Sequence, residues 1–488
     1  MDVHPSRDEF VALAKAHRPI PVSVAVLGDR ETAVGAFQSV AGSGSAFLLE
    51  SVEGGDRWGR WSFLGWDPLF VVTSRDGDLV VSGAEVESGD GDPLTRLERI
   101  IDSFTPPPLA GLPPLHSGLV GYLGYDMVRY IENLPNQPPD DRGFPDMAWQ
   151  AVGSLAAFDR FTQRIHLIRN VMVGDDPAAD YEAAVDRLEA AVATLSAERS
   201  HPTVPVPSFD DSWTADASMS PEEYGRAVER SVAHIVAGDA FQIVPSVRFA
   251  VPFTGDPFDV YRALRLLNPS PYMFFLRHEG MAVAGSSPEL MVRARDGRVF
   301  SRPIAGTRRR GADPGEDSAL AAELAADPKE RAEHVMLVDL ARNDLGRVCE
   351  YGTVAVDDLM VIERYSHVMH IVSGVSGKLR PGVGPVDVLR ATFPHGTVTG
   401  APKVRAMEII DTLEPVARGP YAGAVGYIDF SGNVDTAIAL RTMVAADGMA
   451  WVQAGAGVVA DSRPEREYEE CGEKAAAVLA AIAAAHRV

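Results

Sequence analysis

A chain of 488 residues with a formal net charge of −23 is long enough for a large core, and too acidic to favour nucleic acid or an anionic membrane as a partner. Its 46% hydrophobic and 23% charged content is that of a soluble globular protein, and no apolar run reaches the length of a membrane span. Two cysteines, Cys349 and Cys471, cannot build a disulfide framework. The N-terminus, with Asp8, Glu9, Lys15, His17 and Arg18 among its apolar residues, does not read as a signal peptide, so a reducing cytoplasm is expected.

Residues 20–82 read as strand-rich. Phe47-Leu48-Leu49 ends in Glu50-Ser51, which reads as a strand end, and Arg60 to Gly65 alternates and stops at glycine. Prolines at 106–108, 113–114 and 135–139 mark loops around a glycine-rich apolar strand from Gly118 to Tyr125. The spacing predicts an amphipathic helix over 176–198, with Asp176 as cap, Pro177 as first residue, and Tyr181, Val185, Leu188, Val192 and Leu195 on one face. His201 to Pro207 is a stiff proline-rich linker, and the main boundary is placed there. Ser220-Pro221-Glu222-Glu223 is a capping box opening a helix that Gly238 ends. A strand over 241–244, a helix over 257–267 and two strands carrying Gly285-Ser286-Ser287-Pro288-Glu289 and Pro303 to Arg308 follow. Strands and helices mix without strict alternation, which favours α+β.

Several groups could carry chemistry. Asp327-Pro328 and Pro464 open two acidic helices, on which Glu330 and Glu333, and Glu467 and Glu470, stand three apart. Four such carboxylates could hold a hard divalent cation, magnesium in particular. Acids also favour helix N-termini for their own sake, and Glu470 could simply pair with Lys474. His367 and His370 fall on opposite faces of a strand, so at most one enters a given site. Arg441, ending an apolar strand, needs a carboxylate partner or an anion. Gly455-Ala456-Gly457 lets a ligand approach backbone. Phe393 to Lys403 is a glycine–threonine loop with Gly396, Thr397, Thr399 and Gly400, and Pro402 opens the helix behind it. Free N–H groups at such a helix start suit an anion, although an ordinary strand-to-helix turn has the same pattern.

Taken together, these residues resemble the chorismate-utilising enzymes, and among them the anthranilate synthase component I family. The motifs are Ser-Pro-Glu at 287–289, Pro-Ile-Ala-Gly-Thr-Arg at 303–308, Leu-Val-Asp-Leu-Ala-Arg-Asn-Asp at 337–344 and the threonine loop at 397. The resemblance is dense over 219–478 and weaker over 20–170. It implies a four-layer αββα sandwich of two large, mainly antiparallel sheets with helices outside. It divides the chain into an N-terminal region (1–170), a helix and linker (171–218) and a chorismate-binding catalytic region (219–488).

In chemistry, the resemblance implies that ammonia attacks chorismate at C2 as the C4 hydroxyl leaves, and that pyruvate elimination then yields anthranilate. It casts Glu289 as general acid and His370 as base, with Thr397 lining the reacting centre. Gly285, Ser286, Tyr421, Arg441, Gly455, Ala456 and Gly457 would hold the substrate. Glu333 and Glu470, with Glu330 and Glu467 close behind, would bind Mg2+. Water-using relatives carry lysine where Gln242 stands, and aminodeoxychorismate synthase carries lysine in place of Ala305. No amidotransferase cysteine motif is present, so a separate glutamine amidotransferase subunit would deliver ammonia, in an assembly of two large and two small subunits. A tryptophan feedback site would comprise Glu50, Ser51, Arg60, Pro271, Tyr272, Met273 and Tyr427. The alternatives are aminodeoxychorismate synthase, aminodeoxyisochorismate synthase and a non-catalytic tryptophan-binding regulator.

Overall fold

A computed structural model describes the chain apart from residues 52–58, 198–203, 205, 208–214, 366–367 and 487–488. Local chemistry starts many of its helices. Asp176 accepts the N–H groups of Ala178 and Ala179 ahead of helix Pro177–Ser196. Ser220 and Glu223 cap each other's backbone at the start of Pro221–Val236. Asp256 and Asp327 do the same work for Pro257–Leu267 and Pro328–Gly346. In each case an oxygen takes an N–H that the helix leaves unpaired, and proline fills a position whose N–H is not needed.

Two eleven-stranded sheets form the centre. The first runs, by neighbour, Ile20–Leu27, Arg164–Val171, Ser154–Asp159, Trp61–Trp66, Ala46–Glu50, Tyr272–His278, Met281–Ser287, Thr442–Ala446, Met449–Gly455, Ser246–Pro252 and Asp216–Ala217. The second runs Ile304–Arg309, Val368–Lys378, Arg298–Ser301, Leu290–Arg295, Val434–Ile438, Ala424–Ile428, Leu119–Leu123, Met147–Ala151, Val71–Arg75 and Asp78–Ser82, with Ala355–Arg364 also on Val368–Lys378. Phe47, Phe63 and Phe274 of the first sheet pack with Val120, Tyr122 and Val425 of the second, filling the space between them. Helices Pro177–Ser196, Pro221–Val236, Pro257–Leu267 and Pro464–Ala485 cover the outer face of the first sheet. Pro93–Asp102, Pro328–Gly346, Pro385–Thr392 and Lys403–Leu413 cover the second. The result is the four-layer αββα sandwich.

Several expectations change. Residues 20–82 also contain a helix, Ala33–Val40, which stacks Phe37 on Phe258 at 4.3 Å. The strand expected over 241–244 is only Gln242–Ile243, paired with Gly400–Ala401. Pro402 is the N-cap of Lys403–Leu413 and not its first residue. Both sheets take strands from residues 1–170 and from 219–488, and the residues of the linker between them lie mostly outside those described. His367 also lies outside them.

Candidate active site

Two chain segments cross from one sheet to the other side by side. Ser287-Pro288-Glu289 links Met281–Ser287 to Leu290–Arg295, and Ala439-Leu440-Arg441 links Val434–Ile438 to Thr442–Ala446. They are tied by Ile438 N–H donating to the Glu289 carbonyl at 3.0 Å and Ser286 N–H donating to the Arg441 carbonyl at 3.2 Å. Arg441 holds φ at +48°, a conformation that costs a non-glycine residue about 1 kcal/mol or more and clusters at functional positions. Its guanidinium donates to Asn268 Oδ1 at 3.1 Å. Ser286 Oγ donates to the Asn268 carbonyl, so one asparagine steadies both crossings. A Cβ on Gly285 would stand 2.2 Å from the Phe274 ring, which gives this glycine a packing reason of its own.

Glu289 is 7% exposed, and its Oε1 has no hydrogen-bond partner among the described residues. Burial pushes its carboxyl up to about 8, against the opposing pull of the Thr397 hydroxyl and of the Lys474 and Arg441 charges. Removing a carboxylate from water without compensating donors favours the neutral acid. At neutral pH Glu289 is therefore mostly protonated, as a proton donor must be.

The threonine loop stands against it. His395, buried and held at about 3 chiefly by desolvation and then by the nearby Lys403 charge, is neutral. It caps the short turn Gly396–Val398 by accepting the Thr397 N–H. The Val398 and Thr399 N–H groups donate to the His395 and Gly396 carbonyls. The loop thus spends these N–H groups on itself, whereas the start of helix Lys403–Leu413 behind it has no side-chain cap. Gly400 is obligatory: its φ is +121° and a Cβ there would meet the Gln242 carbonyl at 2.1 Å. Lys403 closes on Asp344 at 2.8 Å, so that pair belongs to the scaffold.

Across the site, the strand end at Gly455 is equally close. A Cβ there would lie 2.9 Å from the Tyr421 hydroxyl, and one on Gly457 would lie 2.8 Å from Gln242 Nε2. Ala456 between them is fully buried. Lys474 donates to the Gly455 carbonyl at 2.9 Å and pairs with Glu470 at 2.8 Å, the i,i+4 pairing anticipated from the sequence. Gln242 in turn donates to Glu333 at 3.1 Å.

Burial pushes the Glu333 carboxyl up, and the charges of Glu330 and Glu470 push it further against the Gln242 hydrogen bond. Glu467 rises for the same first reason, with Glu470 adding to it. Among the described residues no three such side chains stand close enough to form a ready metal cluster. Glu330 pairs with Arg308 at 3.1 Å and Glu470 with Lys474. Glu330 and Glu470 would have to leave those cationic partners before the four carboxylates could serve a hard divalent cation together. His370, beside this group, places Nδ1 3.0 Å from the Gly306 carbonyl and 3.0 Å from Thr307 Oγ1. A nitrogen facing a carbonyl carries the proton, which leaves Nε2 as the basic one.

Gln242, Lys329 and Glu333 line one cavity, and a second, of about 290 Å³, has Glu50, Ser51, Arg60, Pro271, Tyr272, Met273 and Tyr427 in its lining. Sequence reasoning missed its other polar walls. Asp435 accepts from Arg293 at 2.8 Å and from Tyr272 at 3.4 Å. Glu50 is already engaged by Tyr261 at 2.7 Å, Arg265 at 2.8 Å and Arg160 at 2.9 Å. Arg60 is held by Asp159 at 2.6 Å. His395 was missed as well. Its signal in the sequence is a titratable ring between Pro394 and Gly396, inside the glycine–threonine loop.

Residues 45–480 match the family of chorismate binding enzymes. The chain is 46% identical to anthranilate synthase component 1 of Acetivibrio thermocellus over 98% of each chain. It is 48% identical to that of Mycolicibacterium smegmatis, over 98% of this chain and 94% of the relative. The crystal structure of anthranilate synthase component I from Streptococcus pneumoniae superposes with a TM-score of 0.78 at 35% identity, over 93% of this chain and 99% of that one. The menaquinone-specific isochorismate synthase of Escherichia coli shares the fold, with a TM-score of 0.73 at 18% identity.

Proposed function

The chain belongs to the chorismate binding enzymes, in the anthranilate synthase component 1 group, and from that premise we propose that it is the lyase subunit that converts chorismate and ammonia to anthranilate and pyruvate, through aminodeoxyisochorismate. The observation that carries this most is Glu289, a carboxyl kept protonated near neutrality in a buried site. Loss of the C4 hydroxyl as ammonia bonds to C2 requires a proton, and Glu289 has one to give. His370 Nε2 then takes the C2 proton as pyruvate leaves. Arg441 and Tyr421 bind the enolpyruvyl carboxylate, with Gly285 and Ser286 shaping the floor, and Thr397 and the backbone at Gly455, Ala456 and Gly457 lining the ring. Glu333 and Glu470, with Glu330 and Glu467 behind them, would hold Mg2+, which when bound supplies a positive charge for the ring carboxylate.

Gln242 is an uncharged amide and cannot activate water in the way a lysine there would, and Ala305 offers no nucleophile. Both features support ammonia as the attacking group. A separate glutamine amidotransferase subunit supplies it, in an assembly of two chains of each kind in the cytoplasm. Tryptophan binds the second cavity and inhibits. The test is product analysis of the purified chain with chorismate, Mg2+ and ammonium salt. Anthranilate and pyruvate should form in equal amounts, and glutamine alone should give neither. Accumulation of aminodeoxyisochorismate or of a 4-amino product would point to a sister enzyme, and no turnover with intact tryptophan binding would point to a regulator.

A further inference from the structure

The Thr397 N–H points at His395 Nδ1, 3.4 Å away, so this nitrogen is the bare one and the ring proton sits on Nε2. Thr397 Oγ1 lies 2.8 Å from the same nitrogen and has one proton, which it donates there. A Thr397 hydroxyl that donated to Glu289 would pull the carboxyl toward its ionised form; with its proton committed to His395, only its lone pairs face the carboxyl. Glu289 Oε1 stands 3.6 Å from His395 Nδ1, too far for a hydrogen bond and near enough for two lone pairs to repel. An ionised Glu289 would face that lone pair with Oε1 unsatisfied, whereas a protonated Glu289 can donate to the Thr397 oxygen. The remaining charged groups facing Glu289 are Lys474 from helix Pro464–Ala485 and Arg441 from the neighbouring crossing, and both favour its ionised form. Burial first, and then the Lys403 charge behind it, keep the His395 imidazole from charging.

We propose, on the reading of Glu289 as proton donor, that His395 is a positioning residue: its bare Nδ1 fixes the Thr397 hydroxyl so that the oxygen accepts from Glu289, holding the carboxyl in its acid form against Lys474 and Arg441. His395 touches no substrate in this arrangement. It acts through Thr397, and it does so only while neutral.

The test uses two variants of the full chain. His395→Asn places an amide oxygen where an acceptor is needed, and His395→Leu fills the space without one. The first readout is independent of turnover. Infrared titration follows the protonated-carboxyl stretch, assigned to Glu289 by its loss in Glu289→Gln. The second is the alkaline limb of kcat/KM for chorismate, measured at constant free ammonia. His395→Leu should move both midpoints down by about half to one pH unit, the worth of one ordinary hydrogen bond. His395→Asn should stay within about a third of that shift. Equal midpoints in wild type and His395→Leu, or equal shifts in both variants, would overturn the role of Nδ1. If the chain forms no anthranilate at all, the infrared midpoints still decide the role of His395, and the failure falls on the reaction.

Discussion

Glu50, in the wall of the second cavity, and Glu289, at the crossing beside Arg441, are both buried, 5% and 7% exposed, and the protein surrounds them oppositely. Glu50 is ringed by donors: Tyr261, Arg160, Arg265 and Ser62 all reach its two oxygens. Such a set gives both oxygens donors and makes the side chain a fixed part of the wall. Glu289 has one nearby hydroxyl, a bare imidazole nitrogen and an Oε1 with no hydrogen-bond partner among the described residues. Leaving a buried carboxyl short of donors is costly to the charged form alone, so the proton stays. Burial therefore does not decide what an acid does. The number and direction of donors around it do.

The largest effect should come from breaking the unsatisfied member. Glu289→Gln keeps the shape and removes the transferable proton. Turnover of chorismate should fall by about 10²–10⁴-fold, as expected for loss of a general acid, with KM for chorismate changing little. Steady-state kinetics at neutral pH measures this, and a loss under threefold would mean another group donates.

Stability should move in opposite directions at the two sites. In the unfolded chain a glutamate loses its proton near 4.5, whereas folded Glu289 keeps it to about 8. Between those values the folded state binds the extra proton, so wild type loses stability as pH rises through the window and levels off above 8. Glu289→Gln lacks that slope, and should gain on wild type by on the order of 3 kcal/mol by pH 8. Glu50→Ala should instead destabilise by about 2–3 kcal/mol, because Tyr261 and two arginines lose their acceptor, partly offset by water at the arginine heads. Urea unfolding of both variants at pH 5 and pH 8 checks both signs. Two variants moving the same way would erase the contrast.

The smallest effect on turnover should come from the wall of the second cavity. Ser51→Phe fills space beside Glu50 and should leave uninhibited kcat within about twofold, while raising the tryptophan concentration for half inhibition about tenfold or more, since a filled slot excludes the indole. Inhibition curves at several chorismate concentrations measure it. Unchanged inhibition would remove tryptophan from this cavity.

What could be read in the sequence was what is local. Asp176-Pro177, Ser220-Pro221 and Asp327-Pro328 start helices because cap and first turn are neighbours in the chain. Glu470 with Lys474 was legible for the same reason. The seven residues of the second cavity came from a resemblance, and no spacing rule joins Glu50 to Tyr427. What could not be read depends on which distant segments meet. The acceptor role of Glu50 toward Tyr261 spans 211 positions. The paired crossings that set Glu289 beside Arg441 exist only once both sheets have formed. His395 looked like one more loop residue until its burial made its bare nitrogen matter. The short pairing of Gln242–Ile243 with Gly400–Ala401 likewise needs the loop to be in place first.

A protonated Glu289 should drive chorismate turnover. Its most direct measurement is kcat/KM for chorismate in the wild-type chain across pH 6 to about 10, at constant, saturating free ammonia, with anthranilate counted as product. A free-enzyme acid appears in this parameter as a loss of rate above its pKa. The expected result is a plateau at low pH and a tenfold fall per unit above about 8, following the Glu289 carboxyl. A rate that stays level or rises through pH 10 would contradict the account.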